Sequence, residues 1–141
     1  MEKGVELYLD GNVGDVMTQD PVCVKEDDDL ELLVKLFQEK KYHGFPVLDH
    51  RHRLVGLVRD SDLISIFARR DPASRMYAKV SDIMQSPPPT ISPNESIQKA
   101  IMKSFSDQSR LLVVADREGK VVGVVTRIDM IKGIRFRPVT D

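Results

Sequence analysis

A chain that carries one pattern twice has few ways to fold. Sliding this sequence by 67 positions lays Val13 to Ile64 over Val80 to Ile131 without a gap, and 11 of the 52 paired positions are identical. They are Val13/Val80, Asp15/Asp82, Met17/Met84, Pro21/Pro88, Val47/Val114, Asp49/Asp116, Val55/Val122, Gly56/Gly123, Val58/Val125, Asp62/Asp129 and Ile64/Ile131. Like-for-like pairs such as Val16/Ile83, Val24/Ile91, Leu30/Ile97 and Leu54/Val121 lie between them. Two copies are too few for a solenoid, which needs three or more. A copy of roughly 50 residues buries too little surface to be stable alone. The expected solution is two copies packed face to face with pseudo-two-fold symmetry, sharing one core. The length of 141 residues suits that arrangement.

Each copy reads as β-α-β-β-α, an α/β (α+β) pattern. A short turn, Asp15-Val16-Met17 or Asp82-Ile83-Met84, opens it. Pro21 to Val24 and Pro88 to Ile91 follow as extended segments, because residues beside proline avoid the helical region. Leu30, Leu33, Val34 and Phe37 stand at i, i+3, i+4, i+7 and predict a helix. In the second copy Ile97, Ala100, Ile101 and Phe105 form a looser stripe. Ser92-Pro93-Asn94-Glu95 predicts the start of that helix as a capping box with proline at its first position. Two hairpins follow, Phe45 to Leu48 with Leu54 to Val58, and Leu111 to Ala115 with Val121 to Val125. Second helices then begin near Asp60 and Arg127. The expected division is a lead segment over 1–12, first copy 13–68, polar linker 69–79 with the loop signal Asp71-Pro72, second copy 80–134 and a tail over 135–141.

Chemistry concentrates where a strand runs straight into the second helix. In Gly123-Val124-Val125-Thr126-Arg127-Ile128-Asp129, Thr126 is expected to be the N-cap and Asp129 the third helical residue. Free N–H groups there attract phosphate, the Thr126 hydroxyl can donate to it, and the Asp129 carboxylate can accept two hydrogen bonds from a cis-diol. That combination fits a ribose 5′-phosphate. Thr-x-x-Asp is also close to a plain capping box, a strong reading in its own right, and both stay open. The first copy keeps Asp62 but has Arg59 in place of threonine. Arg59 can bind phosphate as a charged fork or point into solvent.

The doubled unit, the Asp-Val-Met and Asp-Ile-Met openings, His43-Gly44-Phe45-Pro46-Val47-Leu48-Asp49 and Gly-x-x-Thr-x-x-Asp together resemble a tandem pair of CBS domains, a Bateman module. The resemblance covers residues 13 to 134. It implies binding of AMP, ADP, ATP or S-adenosylmethionine in two clefts between the copies. Carried over, Thr126 and Asp129 mark one site with Thr90 and Ile91 near its base pocket. Asp62 marks the other with Cys23, Val24, Phe45 and Pro46. His43 and Arg110 hold equivalent positions that reach phosphate in some members. The departures are Arg59 for threonine, and Leu112-Val113 where the first copy has Phe45-Pro46.

Other features read blandly. His50 and His52 sit in a polar turn without further metal ligands nearby. Cys23 lies in an apolar stretch and reads as a pocket-wall or core residue, not a nucleophile. Arg69, Arg70 and Arg75, with Arg135 and Arg137, read as a solvated linker and tail. Met76, Met84, Met102 and Met130 read as core filling. Lys and Arg number 21 against 22 Asp and Glu, which argues against general nucleic-acid binding. The longest apolar runs are too short to cross a membrane, and Met1-Glu2-Lys3-Gly4 lacks a signal-peptide core. One cysteine suits a reducing cytoplasm. The expected function is a non-catalytic cytoplasmic sensor of adenosine-containing ligands that acts on an unknown protein partner. The alternative is a dimerisation or docking module with no physiological ligand. Apolar residues on the second helices, Leu63-Ile64-Ile66-Phe67 and Met130-Ile131-Ile134, predict a homodimer.

Overall fold

The computed structural model describes residues 4–68 and 77–139. In chain order the elements are β1 Val5–Leu9, α1 Val13–Val16, β2 Thr18–Gln19, β3 Val24–Lys25, α2 Leu30–Glu39, β4 Gly44–Leu48, β5 Leu54–Arg59 and α3 Asp60–Ile64, which runs on as a 3-10 turn, Ser65–Ala68. A second 3-10 turn, Val80–Asp82, opens the other copy. It is followed by β6 Thr90–Ile91, α4 Ile97–Ser106, β7 Leu111–Ala115, β8 Val121–Thr126, α5 Arg127–Ile131 and β9 Ile134–Pro138. Each copy builds one sheet, ordered β3-β4-β5 and β6-β7-β8, with the first strand parallel to the second and a hairpin after it. Both hairpins are irregular at the same place, where Val55 and Val122 are skipped in the pairing.

The hairpins are buried on both faces, which is why they read as continuous apolar runs. Leu112 and Val114 of β7 face a core with Ile91, Ile97, Ala100, Val125 and Met130. Leu111 and Val113 face the other way, against Leu57 of the first copy. Phe45, Val47 and Val58 form the first copy's core with Val24 and Leu33. The expected shared core is therefore three clusters: one inside each copy, and a thinner one where the two sheets meet.

The opening turns cross over. Val13 and Val16 of the first copy complete the second copy's core, and Val80 completes the first copy's. Val13 N–H donates to the Glu95 carbonyl at 2.8 Å and Gly14 N–H to the Pro93 carbonyl at 2.9 Å. At the equivalent places Val80 N–H donates to Asp28 at 2.9 Å and Ser81 N–H to Glu26 at 3.0 Å. After its turn the first copy continues as β2, which pairs with β8, while Gln85 bridges to Leu57 of β5.

Several expectations need correction. Helix α4 starts four residues later than the Ser92 motif predicts. Ser96 is its N-cap and accepts from Lys99 N–H at 3.1 Å, while Pro93 and Glu95 spend their carbonyls on the crossing turn. The buried stripe of α4 is Ile97, Ala100, Ile101 and Ser104, and Phe105 is 63% exposed under the Arg127 guanidinium. Met102 is exposed, whereas Met84 and Met130 do fill core positions. The segments expected as lead and tail contain β1 and β9, which pair with each other. Arg137, expected in solvent, binds both Glu6 carboxylate oxygens, at 2.9 and 3.0 Å, and lies over the Tyr8 ring. On the second helices Ile66 and Met130 are buried, leaving Ile64, Phe67, Ile128 and Ile131 outside. Met76 and Arg69, Arg70 and Arg75 lie outside the described residues.

The identical Asp49 and Asp116 each close a hairpin. Asp49 Oδ1 accepts from Arg51 and Arg53 N–H at 2.8 and 3.0 Å, and Asp116 Oδ1 from Glu118 and Lys120 N–H at 2.9 Å each. The Arg53 N–H, helped by Arg51 and the Arg53 guanidinium, holds the Asp49 carboxyl below its ordinary range. A carboxyl whose folded pKa is depressed adds stability above its unfolded pKa of about 3.9, and loses it as pH falls through the folded value. Asp49→Asn should melt below the parent at pH 7, with the gap closing below about pH 4. Thermal melts across that range check it.

Glycine at 56 and 123 is required by the crossing. A Cβ on Gly123 would stand 2.7 Å from Met17 Sδ and 2.8 Å from the Thr18 carbonyl oxygen. On Gly56 it would stand 2.6 Å from Met84 Sδ. Gly123→Ala and Gly56→Ala should each cost about 1–3 kcal/mol, the usual range for overpacking. Denaturant titration measures it.

Candidate functional site

The end of β8 and the start of α5 form the capping box that the sequence allows. Thr126 N–H donates to Asp129 Oδ2 at 2.9 Å, and Asp129 N–H donates back to Thr126 Oγ1 at 3.2 Å. Thr126 Oγ1 and Asp129 Oδ2 are also 3.0 Å apart, so the hydroxyl proton points at the carboxylate. Asp129 Oδ1 accepts from Lys132 Nζ at 3.1 Å, on a lysine side chain that is 61% exposed. The capping box is thus real, and it fixes the orientation of the carboxylate. One oxygen is fixed by the helix start. The other is held by a side chain that solvent can readily take over.

Thr126 and Asp129 border a cavity of about 280 Å³ whose walls come from both copies. The crossing segment supplies Thr18, Gln19, Asp20, Pro21 and Val22. The loop before β4 supplies Lys41, Tyr42, His43 and Gly44, and the second copy adds Leu111, Val124 and Ile128. Tyr42 stands edge-on to Phe45, with ring centroids 5.9 Å apart. Aromatic, apolar and hydrogen-bonding groups converge here, as in small-molecule sites generally. Of the expected residues, Thr126, Asp129 and His43 meet in this cavity. Thr18 to Val22, Lys41 and Tyr42 were not singled out by sequence. The available signal for Lys41 and Tyr42 was their place directly before His43; for Thr18 to Val22 the sequence carried none, because only the crossing of the opening turn brings them there.

The first copy departs from this geometry at one residue. Arg59 N–H donates to Asp62 Oδ2 at 2.8 Å, as Thr126 does to Asp129. Its guanidinium also turns back on the same carboxylate, with Nε 3.2 Å from Oδ2 and a terminal nitrogen 3.1 Å from Oδ1. Arg59 lines a cavity of about 260 Å³ with His43, Asp60, Ser61, Gln108, Arg110 and Leu111. His43 and Leu111 border both cavities. Asp62 instead borders a separate hollow of about 200 Å³ beside Ser65, Tyr77 and Asp82.

The remaining expected site residues stand elsewhere. Val24 and Phe45 are in the first copy's core, and Pro46 is buried in β4 opposite Leu57. Cys23 is half-buried, with Sγ 3.6 Å from the Pro21 carbonyl oxygen, and burial pushes its thiol pKa up. Ile91 belongs to the second copy's core. With Thr90 it borders a broad groove near Lys99, Lys103 and Arg117 and does not reach Asp129. The crossing explains this: the segment that faces each Asp comes from the opposite copy. His50 and His52 are exposed in their turn, and among the described residues no cluster of His, Cys, Asp or Glu could hold a metal ion. No helix of the described residues is long and apolar enough to cross a membrane.

A family model described as the CBS domain matches the chain twice, over residues 13–69 and 80–135. CBS domain-containing protein CBSX2, chloroplastic, from Arabidopsis thaliana is 32% identical over 151 residues, covering 85% of this chain and 62% of that protein. The chain thus spans less than two thirds of that relative. The uncharacterized protein MJ1426 from Methanocaldococcus jannaschii is 26% identical over 162 residues, covering 92% of this chain and 96% of that protein. Among solved structures, CBSX2 in complex with AMP superposes with a TM-score of 0.76 at 30% identity, covering 86% of this chain and 93% of that one. The CBS domain pair of MJ0100, in complex with 5′-methylthioadenosine and S-adenosyl-L-methionine, gives a TM-score of 0.77 at 20% identity, covering 86% and 98%, a likeness of fold. With both copies matched by the family model and the whole architecture shared, the chain belongs to the CBS domain family.

Proposed function

We propose that this chain is a regulatory, non-catalytic module. It takes an adenosine-containing ligand, AMP, ADP, ATP or S-adenosylmethionine, between its CBS repeats and passes the bound state to a protein partner. The observation that carries the reading is the Asp129 cavity. A buried, pre-oriented carboxylate sits in a hollow walled by both copies, in a chain 30% identical to a protein crystallised with AMP. Asp129 Oδ1 would exchange Lys132 for ribose hydroxyls. Tyr42, Pro21, Val22 and Ile128 offer apolar surface to a base. Because both repeats touch the ligand, binding favours one relative placement of them, and a partner that senses that placement is coupled to the ligand. The single half-buried cysteine fits a reducing compartment, and we assign the module to the cytoplasm.

Titrating AMP and S-adenosylmethionine by calorimetry tests this directly. Asp129→Asn keeps an oxygen for the Thr126 N–H, so its melting temperature should stay close to the parent's. Its affinity should fall by about 1.5–3 kcal/mol, the range for a hydrogen bond to a charged group. Normal binding by a folded Asp129→Asn variant would place the ligand elsewhere.

A second reading, a dimerisation or docking module without a physiological nucleotide, is favoured by the apolar residues Ile64, Phe67 and Ile131 exposed on the second helices. Such a patch is characteristic of an interface. The two readings share one assembly, a homodimer through these helices. Light scattering should give twice the 16.0 kDa chain mass, and Phe67→Glu with Ile131→Glu should give the monomer. A monomeric parent at micromolar concentration rejects the interface.

A further inference from the structure

The two repeats present the same carboxylate at the same helix start, and treat it in opposite ways. Asp129 offers Oδ1 behind the exposed Lys132. Asp62 has both oxygens taken by Arg59, in a pair whose side chains are only 22% and 16% exposed. A two-pronged guanidinium–carboxylate contact is among the strongest hydrogen-bonded pairs in proteins. A diol reaching for Asp62 would have to lift the guanidinium away and leave one charge of a largely buried pair without its partner. Nothing comparable guards Asp129, since Thr126 is neutral and its hydroxyl serves the helix start. The cavities agree with this. Asp129 borders the cavity at its own helix start, whereas the one at the start of α3 is bordered by Arg59 and not by Asp62.

We infer that this chain has one adenosine site, and that Arg59 is the specificity-determining residue that keeps the other shut by occupying Asp62 itself. The inference rests on the reading of the Asp129 cavity as an adenosine site. It assigns the asymmetry of the module to a single side chain. Arg59 acts as a built-in occupant of the first copy's cleft, so the ligand meets one open and one closed half.

The test is stoichiometry. AMP, and in parallel S-adenosylmethionine, is titrated by calorimetry into the full chain and into Arg59→Thr, which installs the residue the second repeat uses at the same cap. Arg59→Ala is a second way of freeing Asp62, and thermal melts verify that each variant is folded. The expected result is one ligand per parent chain and two per variant chain. Asp129→Asn in the Arg59→Thr background should leave one, held by Asp62. Two equivalent sites in the parent would overturn the inference without any variant. So would folded Arg59 variants that gain no site for either ligand; if the parent still binds one, the proposed Asp129 site survives. A parent that binds none and a variant that binds one would sustain the closure by Arg59 and reject the Asp129 site.

Discussion

Four backbone hydrogen bonds hold the two repeats in each other's grasp. The first two N–H groups of each opening turn have no partner within the turn, as at any helix start. Each finds one in the other copy's pre-helix loop: Val13 and Gly14 on Glu95 and Pro93, Val80 and Ser81 on Asp28 and Glu26. The same exchange carries Val13 and Val16 into one core and Val80 into the other. Separating the repeats would therefore open both cores and orphan these N–H groups, a cost beyond the loss of the thin sheet-to-sheet contact. The exchange also places Thr18 to Val22 beside Asp129. The wall of the cleft exists because the chain had to cross to finish its core.

Seen from that exchange, the aspartates repeated between the copies have geometric duties first. Asp15 and Asp82 accept from the N–H groups that start their own turns, Asn12 at 2.7 Å and Lys79 at 2.9 Å. Asp49 and Asp116 tie hairpin loops, and Asp62 and Asp129 start helices. Gly56 and Gly123 let the crossing chain lie against a strand. Identity between repeats marks what the architecture needs twice. The clefts differ where the repeats differ: Arg59 against Thr126, His43 against Arg110, Lys41 against Gln108. A module with two formally equivalent clefts thus becomes unequal without disturbing the residues that hold it together.

This division also explains how far the sequence could be read. Hairpins, turn aspartates, the N-cap at Thr126 and the doubled architecture depend on local pattern and on the repeat, and all were legible. The start of α4 was not. Ser92-Pro93-Asn94-Glu95 is a good local capping box, but its Pro93 and Glu95 carbonyls are committed to residues some 80 positions earlier in the chain. The β1–β9 pair was missed for the same reason, since Val5, Leu7 and Leu9 alternate with polar residues but their partner strand lies at the far end of the chain. Assigning Thr90 and Ile91 to Asp129 assumed that a site is built within one repeat. The crossing puts Thr18 to Val22 beside Asp129 instead, and no periodicity of a single segment encodes it.

The last consequence concerns how an occupied cleft is felt elsewhere. Helix α5 begins at the cavity with Thr126 and Asp129, and its Met130 packs with Val13 and Val16 of the crossing turn. Beyond it the chain enters β9 through Gly133, whose carbonyl accepts from Asp10 N–H at 2.9 Å, just before α1. Turn α1 and helix α5 are thus joined through a buried core and through the β1–β9 pair, and α1 continues into the cavity wall at Thr18. A ligand that draws α5 toward that wall acts on both ends of a closed loop of structure. Close-packed interiors pass on such shifts instead of absorbing them. On the same helix, outside the cavity, stands Ile131, exposed and apolar. The carboxylate that would meet the ligand and the residue that would meet another chain lie within one turn of the same short helix, so a shift of one bears on the other.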